Sequence, residues 1–337
     1  MPTATSLFTA TPFVPRRYLA NGHLQTIVGN YLHRTDELPT PIAELVEVAP
    51  AAGGLISSQV LCHCHWQPEP HTHPTAILVH GLEGSSFSQY VIGNANKLWR
   101  AGFNIVRMNM RNCCGTENLS PTLYHSGLSG DVLAVMQHFI AARGLQSVGL
   151  IGYSMGGNLV LKLAGELGAS LPQLHSVAAV SPALDLGPSA ELLHRPINRV
   201  YEIKFLVALC ARYRRKAALF PQLYDASRAH RIRSVIEFDD RITAPYSGFA
   251  SAEDYYFRAA ASRVLGQIRV PTLILHAADD PFVHITPQSR VLLHDNPAIT
   301  YLEPAHGGHC AFLTEATADD DGYWAESTVL RFLLANA

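Results

Sequence analysis

The sequence predicts an α/β fold with a mostly parallel central sheet and helices on both faces. Short runs of continuously apolar residues alternate with segments of helical periodicity, and the alternation resumes after a long interruption. Strands that are apolar throughout are typical of parallel sheets covered by helices on both faces. The interruption predicts a helical cap insertion at residues 186–260, within a core formed by residues 1–185 and 261–337.

Six apolar runs of strand length follow one another along the predicted core. They are TAILVHG (75–81), FNIVRMNMR (103–111), SVGLIGYS (147–154), HSVAAVSPA (175–183), VPTLILHA (270–277) and AITYLE (298–303). Apolar residues at helical spacing predict helices in SQYVIGNANKLWRAG, DVLAVMQHFIAARG, MGGNLVLKLAGELG and PQSRVLLHD, and at the C-terminus. Along the predicted core, strands are therefore joined through loops to the helices that follow them.

Within the interruption, the segment IKFLVALCARYRRKAALF (203–220) has apolar residues at helical spacing beside the basic residues Arg212, Arg214, Arg215 and Lys216. A basic amphipathic helix either touches an anionic membrane surface or lies solvated over the core. The sequence favours the second arrangement and leaves open a peripheral membrane contact through the cap.

Composition and charge restrict the functional class. Lys and Arg number 25 against 27 Asp and Glu, so the formal net charge of −2 provides no basic field for nucleic acid. No apolar run approaches the roughly 18 residues of a transmembrane helix, and the N-terminal segment lacks the order of a signal peptide. The six cysteines are scattered among predicted core elements, which suits reduced thiols. We expect a cytoplasmic protein without a nucleic-acid partner.

The segment CHCHW (62–66) is a candidate metal cluster, because thiolate and imidazole groups both bind zinc. Alternation along a strand offers another explanation, since it places Cys62 and Cys64 on one face, with His63 and His65 on the other. The spacing matches no closed zinc motif. We therefore expect a strand and no metal.

The stretch GYSMGGN (152–158) lies where an apolar strand ends and a helix begins. Gly-x-Ser-x-Gly in that context is a nucleophile elbow, a sharp turn that exposes the serine hydroxyl above the sheet. Gly152 and Gly156 are needed because a Cβ there would clash with neighbouring backbone. The flanking elements favour Ser154 as a nucleophile over a simple turn serine.

A serine nucleophile needs a general base and a group that orients it, and in this type of fold the acid precedes the histidine. The segment LILHAADDPFV places Asp279 and Asp280 after a late strand, and the strand, loop, acid order favours Asp280. The segment EPAHGGHC offers His306 and His309. The two glycines allow the loop to fold back towards the serine, which favours His309.

Acyl transfer also needs backbone N–H donors for the oxyanion. One comes from the residue after the nucleophile, Met155, and another from the loop after an early strand. That loop is HGLEGSS, in which we expect Leu82 to be the donor. A phosphate loop is the weaker interpretation, because no Lys-Ser/Thr ending is present.

These motifs, together with NGHLQTI, MRNCCGTENLSPTLYHSG and EFDDRITAPYSGFASAEDYY, resemble the YheT/EMB8-like branch of the α/β-hydrolase superfamily. The animal relatives in this branch include membrane-associated lipid esterases and phospholipases. The resemblance implies an α/β-hydrolase fold and a triad of Ser154, Asp280 and His309. In one departure, Asn112 stands where relatives commonly have glycine, which we expect to alter the loop beside the pocket.

The expected function is a serine hydrolase that cleaves carboxylic esters, of small molecules or acyl lipids, through an acyl-enzyme. This chemistry needs no metal or organic cofactor. The same scaffold also hosts thioesterases and amidases, which remain alternatives because a fold does not determine the chemistry. A non-catalytic ligand-binding protein is a further alternative, against which the ordered serine, acid and histidine argue.

Overall fold

The computed structural model describes residues 8–337. The first seven residues, which belong to the predicted core and to the segment compared with a signal peptide, lie outside the described residues.

The described chain forms one eight-stranded sheet and eleven α-helices. The strands are β1 (Ile42–Ala49), β2 (Ser58–His65), β3 (Thr75–Val79), β4 (Asn104–Met108), β5 (Val148–Tyr153), β6 (Leu174–Val180), β7 (Thr272–Leu275) and β8 (Ile299–Leu302). The helices are α1 (Gly22–Tyr31), α2 (Gln89–Arg100), α3 (Ser129–Arg143), α4 (Met155–Leu167), α5 (Leu186–Leu193), α6 (Arg199–Leu219), α7 (Val235–Phe238), α8 (Ala244–Tyr246), α9 (Ala252–Ala259), α10 (Pro287–Asp295) and α11 (Trp324–Ala335).

The strand order is β1-β2-β4-β3-β5-β6-β7-β8. From β4 to β8 all neighbours are parallel, whereas β2 runs antiparallel to both β1 and β4. One apolar cluster joins the sheet to α2 and α11, and another joins its opposite face to α3, α4 and α10. The predicted α/β class, with a mostly parallel sheet covered on both faces, is confirmed.

The strands at the centre of the sheet are its most buried elements. Every residue of β3 and β5 is buried, as continuous apolar runs predict. The edge strand β1, which the sequence interpretation missed, contains one buried residue, Val46. An edge strand with one solvated face carries a weaker apolar signal than a central one, and this explains why β1 was overlooked.

The residues Cys62, His63, Cys64 and His65 of the segment CHCHW belong to β2, which ends just before Trp66, so the strand interpretation is confirmed for these four residues. Cys62 and Cys64 are fully buried, and burial raises the pKa of both thiols well above the usual range for cysteine. A protonated thiol is a poor metal ligand. Within residues 8–337 no group of three or more His, Cys, Asp or Glu side chains is arranged to hold a metal ion.

Helices α5 to α9 lie between β6 and β7 along the chain, and we refer to them as the cap. The longest cap helix, α6, has 21 residues, with Leu209, Cys210 and Tyr213 buried against the same apolar cluster that contains α3 and α4. Val200 and Val207, on another face of α6, are exposed. None of the helices in the described part of the chain is both long and apolar enough to cross a membrane.

The close packing of helix α4 leaves no room for a side chain at Gly165. A Cβ there would lie 2.5 Å from the backbone oxygen of Val264. We expect Gly165→Ala to lower the free energy of unfolding by about 1–3 kcal/mol, because backbone must move to admit the methyl group. Gly130, in α3, has open space around its Cβ position, so Gly130→Ala should stabilise the protein by up to about 1 kcal/mol. Chemical denaturation measures both, and equal effects would contradict the packing argument.

Candidate active site

Ser154 occupies the turn between β5 and α4, with φ 53° and ψ −116°. This left-handed conformation is strained for a residue with a side chain and persists only where its surroundings enforce it. A Cβ on Gly152 would lie 2.2 Å from the Gly156 oxygen, and a Cβ on Gly156 would lie 2.3 Å from the Val79 oxygen. Only glycine fits at these two positions, so the turn holds Ser154 above the end of the sheet.

Asp280 and His309 form a hydrogen-bonded pair on the loops that follow β7 and β8. The distance from His309 Nδ1 to Asp280 Oδ2 is 2.8 Å. The other carboxylate oxygen, Oδ1, accepts the backbone N–H groups of Phe282 and Val283 at 3.1 and 2.9 Å. Because both oxygens of Asp280 are engaged, the carboxylate holds the imidazole in a defined orientation.

Asp279, the alternative acid, has different partners. Its Oδ1 accepts the N–H of Gly308 at 2.9 Å, and its Oδ2 lies 3.4 Å from Nδ1 of His306. The structure therefore brings Asp280 together with His309 and places Asp279 with His306, on the outside of the same loop.

The charges of the pair reinforce each other. Burial lowers the pKa of the His309 imidazole, but the charge of Asp280 and its hydrogen bond outweigh burial and raise that pKa above the ordinary value for histidine. Burial alone would raise the pKa of Asp280, but the neighbouring His309 lowers it below the usual range. Both shifts favour a charged imidazolium beside an ionised carboxylate.

Helix α1 holds the histidine loop in place. The backbone N–H of His309 donates to Thr26 Oγ1 at 2.8 Å, and the Thr26 hydroxyl donates to the Gly22 oxygen at 2.7 Å. Gln25 makes two hydrogen bonds with the backbone of Leu313, at 3.0 and 2.9 Å. The sequence signal for these residues was the segment NGHLQTI, which marked the family resemblance but assigned no role to Gln25 or Thr26.

The loop Gly81–Gly84 lies beside Ser154, since a Cβ on Gly81 would be 3.2 Å from the Ser154 Cβ. Within residues 8–337 the backbone N–H groups of Leu82 and Met155 donate to no protein acceptor. The Met155 N–H also stands at the N-terminus of α4, where the helix dipole favours negative charge. Both groups are free to bind an anionic oxygen.

Two residues outside the predicted set shape this loop. His80 is fully buried; its Nε2 accepts the Met110 N–H at 3.1 Å, so its proton is on Nδ1, 2.8 Å from the Gly81 oxygen. Burial lowers the pKa of His80 to about 4, which keeps the ring neutral. The Gly81 N–H donates to Tyr90 Oη at 2.9 Å. Both the N–H and the carbonyl oxygen of Gly81 are thus hydrogen-bonded, which holds this loop in place.

Asn112 adopts a φ of 66°. Glycine reaches this conformation without strain, whereas asparagine is one of the few other residues that tolerate it. The Asn112 side chain donates to the Thr122 oxygen at 2.9 Å and accepts from Lys216 Nζ at 2.7 Å. The Asn112 side chain therefore joins this loop to the cap.

Two cavities meet at Ser154. The first, of about 140 Å³, lies under the cap and has a mainly apolar lining. The second, of about 420 Å³, lies between α1 and α6. Residues that line the first include Leu186, Leu209, Phe238 and Val283, and those that line the second include Ile27, Tyr31, Val200 and His309. Leu82 and Phe282 line both, so a bound molecule can extend to either side of the serine.

Comparison with known proteins identifies the family of this chain. Residues 74–316 match a family described as having the alpha/beta hydrolase fold. YheT of Escherichia coli, a candidate esterase, is 31% identical over 97% of this chain and 94% of its own. Phospholipase ABHD3 of Mus musculus is 29% identical over 72% of this chain, and a monoacylglycerol lipase of Saccharomyces cerevisiae is 27% identical over 77%. The match spans 59% of the length of each of these two relatives.

Solved structures share the fold at low sequence identity. The 2,6-dihydroxy-pseudo-oxynicotine hydrolase superposes with a TM-score of 0.55 at 17% identity, covering 87% of this chain and 68% of its own. An esterase of Pyrococcus furiosus gives a TM-score of 0.54 at 14% identity, covering 87% and 92%. The chain belongs to the α/β-hydrolase family. Its relatives include proteins of the YheT/EMB8-like branch, which confirms the predicted resemblance. These relatives support the class of an esterase-type or lipase-type hydrolase.

The raised pKa of His309 depends on its neighbour. We expect Asp280→Asn to lower that pKa by about 1–3 pH units, because the favourable charge is removed while burial remains. Asp279→Asn should leave it almost unchanged. NMR titration of the imidazole, assigned with a His309→Gln variant, measures both, and an equal shift in the Asp279 variant would contradict the observed pairing.

Proposed function

We propose that the protein is a serine hydrolase that cleaves carboxylic esters through an acyl-enzyme. The observation that carries the proposal is the Asp280–His309 hydrogen bond of 2.8 Å, in a site where His309 and the strained Ser154 line the same cavity. The free N–H groups of Leu82 and Met155 add an oxyanion site. Nucleophile, base, orienting acid and oxyanion donors are the parts that acyl transfer needs.

In this mechanism His309 accepts the Ser154 proton through Nε2, because Nδ1 is committed to Asp280. The serine oxygen attacks the ester carbonyl, and the negative oxygen that forms is stabilised by the N–H groups of Leu82 and Met155. The protonated His309 then donates its proton to the departing alcohol. Water repeats the sequence on the acyl-enzyme, releasing the acid and restoring Ser154.

Acyl lipids and other esters with an apolar chain are the proposed substrates. The mainly apolar lining of the first cavity supports an acyl chain on one side of Ser154, and the larger second cavity leaves room for the alcohol part. The names of two relatives, a phospholipase and a monoacylglycerol lipase, point to the same class.

Removal of the nucleophile tests the proposal. Ser154→Ala should lower kcat for a p-nitrophenyl ester by about 10⁴-fold, because no acyl-enzyme can form. Thermal unfolding of the variant serves as the control for folding. Full turnover by a folded Ser154→Ala protein would contradict the assignment.

The alternatives lead to different results with the same proteins. A thioesterase or an amidase would turn over those substrates faster than the matched ester, still depending on Ser154. A non-catalytic binding protein would bind acyl ligands but fail to react with a fluorophosphonate probe, which labels an activated serine. Labelling of the wild type that is absent in Ser154→Ala supports the hydrolase.

We further propose a cytoplasmic location with peripheral contact to membranes. All six cysteines are free, which suits a reducing compartment. Around the mouth of the second cavity, Tyr31 on α1 and Val200 on α6 are 72% and 78% exposed, with Lys204 beside them. Ile203 and Val207 extend this apolar surface along α6. An apolar surface with a cation at its edge suits a lipid interface, from which an acyl lipid would enter.

A charge placed on this surface should prevent membrane contact. We expect the double variant Ile203→Glu/Val207→Glu to bind vesicles of phosphatidylglycerol and phosphatidylcholine about tenfold more weakly, because two carboxylates would face the lipid. Turnover of a short, water-soluble ester should be unchanged. Val291→Glu, an equally exposed position on α10, is the matched control. Equal vesicle binding by all three proteins would contradict the contact.

A further inference from the structure

Glu83 lies next to the proposed oxyanion donor Leu82, and its carboxylate is held by Tyr124 and Arg212. Its φ of 57° is a left-handed conformation that costs a residue with a side chain about 1–2 kcal/mol. The Tyr124 hydroxyl donates to Oε1 at 2.5 Å, Arg212 Nε donates to Oε1 at 3.0 Å, and Arg212 Nη2 donates to Oε2 at 2.9 Å. A strained residue of this kind keeps its conformation only while its partners hold it.

Arg212 comes from the cap helix α6, far from Glu83 in the chain. Its remaining nitrogen, Nη1, donates to the backbone oxygen of Asn112, a second residue with positive φ. The side chains of Arg212 and Glu83 are only 12% and 9% exposed. Paired hydrogen bonds between a guanidinium and a carboxylate are directional, and they are costly to break when they are shielded from water.

A separate contact fastens the same helix to the core one turn further on. Lys216 is fully buried, and its Nζ donates to Asn112 Oδ1 at 2.7 Å and to the Glu117 oxygen at 2.8 Å. The apolar face of α6 adds to this attachment. The cap therefore has anchors that do not involve Glu83, whereas the paired hydrogen bonds of Arg212 hold the residue next to Leu82.

We propose that Arg212 is a positioning residue that holds the Gly81–Gly84 loop in its active conformation through Glu83. It fixes the carboxylate of Glu83, which fixes the backbone of the preceding residue, so that the Leu82 N–H points to where the negative oxygen forms. Docking of the cap is thereby coupled to the reactivity of the site. The inference rests on the proposed hydrolase function and deepens it.

A displaced oxyanion donor lowers turnover more than substrate binding, because the hydrogen bond reaches full strength only in the transition state. Arg212→Met should therefore lower kcat by about 10- to 100-fold with a much smaller change in KM. Arg212→Lys should recover part of the loss. Arg215→Met is the matched control, because Arg215 lies on the same helix, is 55% exposed and pairs with Glu117.

A second measurement separates positioning from a general structural effect. A thionoester places sulfur where the oxyanion forms, and an intact oxyanion site favours oxygen strongly over sulfur. The ratio of kcat/KM for an ester to that for its thionoester should fall in Arg212→Met and stay at the wild-type value in Arg215→Met. If Arg212→Met folds poorly by circular dichroism, Glu83→Gln tests the same contact from its other side.

The outcomes are distinguishable. A wild-type protein that neither hydrolyses esters nor reacts with the fluorophosphonate probe would overturn the proposed function and this inference together. An active wild type in which Arg212→Met behaves like Arg215→Met would overturn the inference alone. A loss of kcat with an unchanged ester to thionoester ratio would also overturn it, because the contact would then serve only to hold the cap.

Discussion

Ser154 is held in a left-handed backbone conformation between a fully buried strand and a buried helix, and its neighbours cannot relax this turn. Gly152 and Gly156 face backbone at distances that exclude any Cβ, and the Ser154 N–H is bound to the Val180 oxygen at 2.9 Å. The turn is strained, and the packing of the sheet supplies the stabilisation that keeps it. Because this point is fixed, every other group of the site must be brought to it.

Asp280 and His309 lie on loops, which are more mobile than strands unless other elements restrain them. Here the restraint comes from helix α1 and from the loop after β7. Thr26 of α1 holds the backbone of His309, and Asp279 holds the backbone of Gly308 at the same time. The acid that is not paired with His309 thus shapes the loop that presents it. This gives both adjacent carboxylates a physical reason to be present.

The cap takes part in the site as well as covering it. Its helix α6 lines both cavities and also carries Arg212, which binds Glu83 in the Gly81–Gly84 loop. Polar contacts of this kind are directional, so they define one docked position of the cap, whereas the apolar contacts alone would tolerate small shifts. The two cavities and the Gly81–Gly84 loop are therefore linked through a single helix.

The sequence by itself determined the α/β class, the central strands, the turn at Ser154 and the ordered set of candidate residues, because each depends on local periodicity or on glycine at fixed spacing. Only the tertiary structure decided that His309 pairs with Asp280 and His306 with Asp279, since the two acids are neighbours and spacing distinguishes them weakly. It alone showed the roles of Thr26 and Arg212. Their partners are 283 and 129 residues away along the chain, and packing, which local patterns do not encode, brings them together.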